Sequence, residues 1–276
     1  MESVVLLGAG ALGEAIIRRI GAGRQIILAD RSEANLQAVA KHLEFAGYHV
    51  SCIQADISQR SDIQQVIAKA QEYGEIKHVV NAAGVSPSQA SIETIIAVDL
   101  IGTAMILEEF GKVIAPGGSG IMVSSQSGHR LPALGEENDR ALAMTPVENL
   151  VKLELLDPKN IKDPLEAYQL AKRANVLRVA AQAVEWSKRH ARINAISPGI
   201  VMTPLAVDEL NGPRGEGYKK MFEAMVDQRP GTPDEIADLA EFLMSRKAAF
   251  ITGSDILIDG GVTAKYWYGT VEEVRE

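Results

Sequence analysis

The stretch "SVVLLGAGALGEAI" (residues 3–16) decides the fold. Four apolar residues, Val4 to Leu7, are followed at once by Gly8, Gly10 and Gly13, and then by a helical pattern. Read in order, this is a buried strand, a tight turn and a helix start. Glycine lets the turn fold sharply and lets its backbone approach an anion, while the helix N-terminus supplies free N–H groups and positive partial charge. Ala11 and Leu12 complete the GxGxxG spacing. Strand, turn and helix together make it a pyrophosphate cradle rather than a chance spacing of glycines.

Working outward, similar apolar runs recur at 26–29, 50–53, 78–81, 120–124, 193–197 and 255–259, separated by longer segments of helical period. Near-continuous apolar strands alternating with helices predict a parallel sheet covered on both faces. The expected class is α/β, a doubly wound Rossmann fold of about seven parallel strands in one domain over residues 1–276. Ser32 is placed to cap a helix that Gly47 ends, and one long helix is expected from Ile92 to Val113. The second strand ends at Asp30, roughly twenty residues after Gly8, where a carboxylate hydrogen-bonds the ribose hydroxyls of NAD. It would repel a 2′-phosphate, so NAD is preferred; Arg31 beside it leaves NADP as the alternative. "QADIS" (54–58) and "NAAG" (81–84) also follow strands. Asp56, Ile57, Asn81, Ala82, Ala83 and Gly84 are therefore assigned to the cofactor edge, with Asp56 near the adenine.

Composition narrows the partners. The 276 residues are 46% hydrophobic and carry a formal net charge of −8, which argues against nucleic acid or an anionic membrane as the main partner. No run of eighteen apolar residues is present, the start of the chain lacks signal-peptide features, and a cytoplasmic location is expected. With Cys52 as the single cysteine and five histidines without ligand spacing, no disulfide or metal centre is expected.

The chemistry centres on "YQLAK" (168–172). Residues four apart on a helix are stacked neighbours, so Tyr168 and Lys172 share a face. A phenol with a pKa near ~10 is a poor base at neutral pH. A lysine cation ~4 Å away, at an effective dielectric of ~20, favours the phenolate by about 4 kcal/mol. Desolvation opposes this. By itself the pair is an ordinary pattern on a helix surface.

Set among the other motifs, the pair resembles that of the short-chain dehydrogenase/reductase family. The matching stretches are "GAGALG", "AD" at 29–30, "ADI", "NAAG", "VSSQSG", "YQLAK", "INAISPGIVMTP" and "ITGSDILIDGG", spread over nearly the whole chain. The resemblance implies NAD(P)-dependent interconversion of an alcohol and a carbonyl. Tyr168 would be the acid/base, and Lys172 would hold the nicotinamide ribose and lower the tyrosine pKa. Ser125 would hydrogen-bond the substrate oxygen, and Pro198, Gly199, Ile200 and Thr203 would hold the nicotinamide carboxamide and nearby phosphate. Three departures stand out. The glycine loop is one residue shorter than the family's TGxxxGxG, with Ala11 near the place of its middle glycine. The family's helix asparagine is replaced by Asp99, which either preserves a main-chain water relay to Lys172 or pairs with the lysine directly. Finally, residues 129–164 form an insertion, expected to hold short helices of its own with Thr145 as an N-cap and Pro146 at the first helical position.

That insertion is similar to one in bacterial 3α-hydroxysteroid dehydrogenase/carbonyl reductases of the family, where it alters subunit packing; a homodimer or homotetramer is the expectation. After Pro204, Leu205, Leu210, Met221, Phe222 and Met225 read either as an apolar lid or as a packed helix. The aromatic stretch "KYWYG" (265–269) is expected at a subunit contact, and His129 is expected to be structural. The substrate is expected to be a hydrophobic secondary alcohol or ketone, steroid-like or cyclic by analogy. A non-catalytic NAD-binding sensor on the same fold is the alternative.

Overall fold

The computed structural model describes residues 2–212 and 215–269. Its sheet is built from β1 (Glu2–Leu7), β2 (Gln25–Asp30), β3 (His49–Gln54), β4 (Glu75–Asn81), β5 (Ser119–Val123), β6 (Arg192–Pro198) and β7 (Asp255–Ile258). The seven strands are all parallel, in the order β3-β2-β1-β4-β5-β6-β7.

Alternation along each strand splits the core in two. Val4 and Leu6 face one layer together with Ile26, Leu28, Val80 and Ile121. Val5 and Leu7 face the other with Ile27, Val79 and Met122. The first layer is closed by α1 (Ala11–Ile20) and α2 (Glu33–Phe45). The second is closed by α3 (Arg60–Gln71) and by a helical rod of α4 (Ile92–Ile95), a π-helical turn (Ile96–Gly102) and α5 (Thr103–Val113). This rod occupies the span expected to be one helix. The difference is the π turn, a widened register that apolar periodicity does not reveal.

After β5 come α6 (Gln126–His129), then α7 (Glu136–Met144) and α8 (Val147–Leu150) within the insertion. The insertion does carry short helices, but its cap lies one residue later than expected. Pro146 is the N-cap of α8, and Thr145 ends α7 in an extended conformation. The insertion is tied to α9 (Pro164–Ser187), the helix of Tyr168. Arg173 forms a two-pronged ion pair with Asp139, and Arg178 donates to the carbonyls of Leu142 and Thr145. The remaining helices are α10 (Pro204–Leu210), α11 (Gly215–Ala224), α12 (Pro233–Met244), which packs on α1, and α13 (Val262–Tyr268). No helix among the described residues is long and apolar enough to cross a membrane.

Strand order reverses between β1 and β4, so the loops that leave their carboxyl ends diverge to opposite faces and open a crevice.

Candidate active site

Both sides of that crevice come from predicted residues. Gly8 has φ +97°, a conformation that side chains resist, and a Cβ there would lie 2.4 Å from the Ala83 nitrogen. The glycine turn and "NAAG" therefore touch backbone to backbone. Gly10 is the N-cap of α1, without a side-chain cap, and the space above it is open. The first-turn N–H groups of Ala11, Leu12 and Gly13 thus have no capping side chain. Asp30 ends β2 with its carboxylate fixed by the N–H groups of Ala9 and Ser32, both at 2.7 Å. Each oxygen keeps a second lone pair for an incoming hydroxyl. The Arg31 side chain is exposed.

Asn81 is more structural than its motif suggests: it is buried, donates to Thr103 Oγ1 and accepts from the Ala83 N–H. Asp56 accepts from the Ser58 N–H at 2.9 Å, shaping the turn after β3, and Ile57 is buried.

The reacting groups converge on α9. Lys172 Nζ lies 5.2 Å from the centroid of the Tyr168 ring and is itself buried. Ser125, the N-cap of α6, lies beside Tyr168 and favours its ionised form. The preceding Ser124 donates to the Lys172 carbonyl at 2.8 Å, which fixes α6 against α9. The sequence-distant serine and tyrosine thus meet because α6 packs directly on α9.

Asp99 completes the group from the π turn. It is fully buried, and its Oδ1 accepts from the Val85 N–H at 3.0 Å and lies 3.9 Å from Lys172 Nζ. Its Oδ2 is buried without a hydrogen-bond partner among the described residues. Gly84 leaves room for this carboxylate, since a Cβ there would sit 2.7 Å from Oδ1. The Asp99 carboxylate thus faces the lysine at ion-pair distance. Burial drives the Asp99 pKa above the usual carboxylate range despite Lys172. Burial lowers that of Lys172, but Asp99 and Tyr168 outweigh it and the ammonium ends above its ordinary value.

Desolvation raises the Tyr168 pKa above that of an ordinary phenol; Lys172 lowers it, as expected, but by less than burial raises it. The Asp99 and Glu209 carboxylates push in the same upward direction.

The comparisons with known proteins agree with this geometry. The family model described as short chain dehydrogenase matches residues 2–135, and that described as enoyl-(acyl carrier protein) reductase matches residues 139–263. The chain is 37% identical to short-chain dehydrogenase/reductase bsc3 of Alternaria brassicicola over 95% of its own length and 96% of the relative's. The chain belongs to the short-chain dehydrogenase/reductase family. It is 30% identical to a D-threitol dehydrogenase of Mycolicibacterium smegmatis, over 95% of this chain and 93% of that one. In fold it is similar to the 3-alpha-hydroxysteroid dehydrogenase of Pseudomonas sp. B-0831 complexed with NADH, with a TM-score of 0.77, 23% identity and coverage of 97% and 99%.

As a short-chain dehydrogenase/reductase it is an oxidoreductase acting on CH–OH groups and binding NAD(P). The open, uncapped N-terminus of α1 and the carboxylate at the end of β2 fit such a dinucleotide. At the nicotinamide end, Pro198 closes β6 and the Gly199 N–H donates to the Ile258 carbonyl at 2.9 Å. Ile200 is buried, and Thr203 caps α10 through the Ala206 N–H.

The segment after Pro204 folds as packed helices, the second of the two readings its sequence offers. Met221 and Met225 turn inward with Ile200, Ala206 and Val262 to form a third small core, while Leu205 remains exposed. Pro213 and Arg214 of this segment lie outside the described residues. Two residues acquire partners within the chain that sequence alone does not show. His129 Nε2 sits 2.6 Å from Asp255 Oδ2, and Ser197 donates to the same carboxylate. The aromatic stretch folds back too: Trp267 donates to the His129 carbonyl, and Tyr266 stacks under the Arg130 guanidinium. Of the three aromatics, Tyr268 alone projects almost fully into solvent.

Proposed function

We propose that the protein interconverts a secondary alcohol and a ketone or aldehyde, with NAD as its preferred dinucleotide. The observation that carries this reading is the convergence of Ser125, Tyr168 and Lys172 at the carboxyl edge of the sheet, beside the uncapped glycine turn. The nicotinamide, when bound, supplies the hydride chemistry. Everything else falls to the chain. Ser125 and Tyr168 hydroxyls receive the charge that develops on the reacting oxygen, and the Tyr168 hydroxyl exchanges the proton. The phenol donates its proton to the carbonyl oxygen in reduction and accepts the alcohol proton in oxidation. Lys172, buried and charged, orients what binds beside the tyrosine and tempers the phenol. Gly8, Gly10 to Gly13 and Asp30 hold the dinucleotide, and Asp30 supports NAD over NADP through repulsion of a 2′-phosphate.

The test is reduction of a panel of cyclic and acyclic ketones with NADH or NADPH, read by reduced-nicotinamide absorbance. NADH should outperform NADPH, and Tyr168→Phe should lower kcat by about a hundredfold or more while NADH binding, read by fluorescence, persists. Undiminished turnover in Tyr168→Phe would overturn the proton-transfer role. Faster turnover with NADPH would overturn the reading of Asp30.

A further inference from the structure

Helix α6 is one turn long, and its residues Gln126, Ser127, Gly128 and His129 bring no apolar side chain to seat it in the core. Its place is set by polar contacts and by the close fit of Gly128 against α9. That place matters, because Ser125 is the N-cap of this turn. The Ser125 Oγ accepts from the Ser127 N–H at 3.1 Å, so the hydroxyl beside Tyr168 goes where the turn goes.

At the leading end, Ser124 ties the chain to the Lys172 carbonyl. In the middle, Gln126 has two long contacts: its Nε2 lies 3.7 Å from the Met221 sulfur, and Thr263 Oγ1 lies 3.5 Å from its Oε1. The short contact is at the trailing end. His129 Nε2 lies 2.6 Å from Asp255 Oδ2, and because a carboxylate only accepts, the imidazole donates. Asp255 opens β7 with its side chain only 7% exposed, and Ser197 Oγ of β6 lies 2.8 and 3.0 Å from its two oxygens. The acceptor is therefore fixed to two strands of the sheet. The main chain of His129 is held as well, its carbonyl accepting from Trp267 Nε1 of α13 at 2.9 Å. Ser124 sets where the turn begins. His129 sets the direction it takes, and with it the Ser127 N–H that holds the Ser125 hydroxyl.

We infer that His129, held by Asp255, is a positioning residue: it fixes the direction of α6 and through it the Ser125 hydroxyl beside Tyr168. This inference rests on the alcohol–carbonyl reading above and adds to its machinery a residue that acts through Ser125.

The experiment measures ketone reduction with NADH in His129→Leu, His129→Gln, Ser125→Ala and the double variant His129→Leu/Ser125→Ala. Leucine removes the donor, whereas the glutamine Nε2 can reach the same carboxylate. His129→Leu should lower kcat by about tenfold or more with the NADH dissociation constant unchanged, since a displacement of about 1 Å at a reacting centre is enough for such a loss. His129→Gln should recover most of it. In Ser125→Ala no hydroxyl is left to place, so adding His129→Leu should cost less than about twofold further. His129→Asn, polar but too short to reach Asp255, should behave as the leucine variant does and replaces it if leucine prevents folding. Equal losses on adding His129→Leu to the wild type and to Ser125→Ala would make the contact merely structural and overturn the inference. An undiminished kcat in His129→Leu, or a glutamine variant as slow as the leucine one, would overturn it too. Should the wild type reduce no ketone, the underlying reading fails. Amide hydrogen exchange across residues 125–130, the Ser127 amide included, then decides the positioning alone. Faster exchange in His129→Leu with the wild-type rate in His129→Gln upholds it, and an unchanged rate in His129→Leu overturns it.

Discussion

Asp99 lies against the reacting pair, and its chemistry is specific enough to predict. Its carboxylate sits 3.9 Å from Lys172 Nζ, and its charge opposes ionisation of Tyr168. Asparagine at this position can keep the acceptor for the Val85 N–H and places an amide where Oδ2 now lacks a hydrogen-bond partner among the described residues. Asp99→Asn should therefore fold and retain substantial activity. Removing the negative charge lowers the Tyr168 pKa. In alcohol oxidation, which needs the ionised phenol, the rise of kcat/KM with pH should move to lower pH. In carbonyl reduction, which needs the protonated phenol, the alkaline loss should begin at lower pH. Paired pH profiles of the two directions read this directly. An unmoved inflection would mean that the carboxylate does not act on the tyrosine, and total loss of activity would mean that its charge is indispensable. The substitution itself is visible in the sequence; which of its two consequences holds is not, because the π turn sets the direction of the side chain.

At the scale of elements, the site depends on how closely α6 approaches α9. Gly128 lies at the crossing, where an added Cβ would fall 2.7 Å from the Arg173 nitrogen and 2.9 Å from the Lys172 carbonyl carbon. Both are main-chain atoms inside a long helix and cannot give way like a flexible side chain. Gly128→Ala should force α6 outward at a cost of about 1–3 kcal/mol in stability. Because Ser125 begins α6 and Tyr168 and Lys172 ride on α9, kcat should fall with it. Calorimetric unfolding and steady-state kinetics on one preparation test both. A lowered melting temperature with kcat intact would show that α6 shifts without carrying Ser125. The sequence marks Gly128 only as part of "VSSQSG". Its steric role appears once the two helices are placed, and the one-residue error at Thr145 and Pro146 has a related origin. A proline is equally at home as a cap or in a first turn, and the packing of α7 decides between them.

At the scale of the whole molecule, the sheet was legible because its signal is local: each strand announces itself by a short apolar run, and the glycine turn fixes where the crevice lies. The polar networks were not, because their partners lie far apart in the chain. His129 with Asp255 and Ser88 with Glu209 each join segments more than a hundred residues apart. His78 belongs to the same class and controls a property of the entire fold. It is buried in β4 with its Nδ1 2.9 Å from Ser119 Oγ of β5. Burial, reinforced by Arg24 and Lys77 and opposed by Glu2, lowers its pKa to about 4. In the unfolded chain the same imidazole takes up its proton near pH ~6.5. As pH falls from about 6.5 towards 4, the unfolded state binds a proton that the folded state refuses, so stability declines through that window by up to about 3 kcal/mol. Above the window the histidine is neutral in both states and contributes no slope. His78→Gln removes the titration while keeping a polar group opposite Ser119. Urea unfolding at pH 7 and pH 4.5 should show the wild type losing roughly 2 kcal/mol more than the variant over that interval. Equal losses in the two proteins would place the acid sensitivity of the fold in its surface carboxylates and not at the β4–β5 junction.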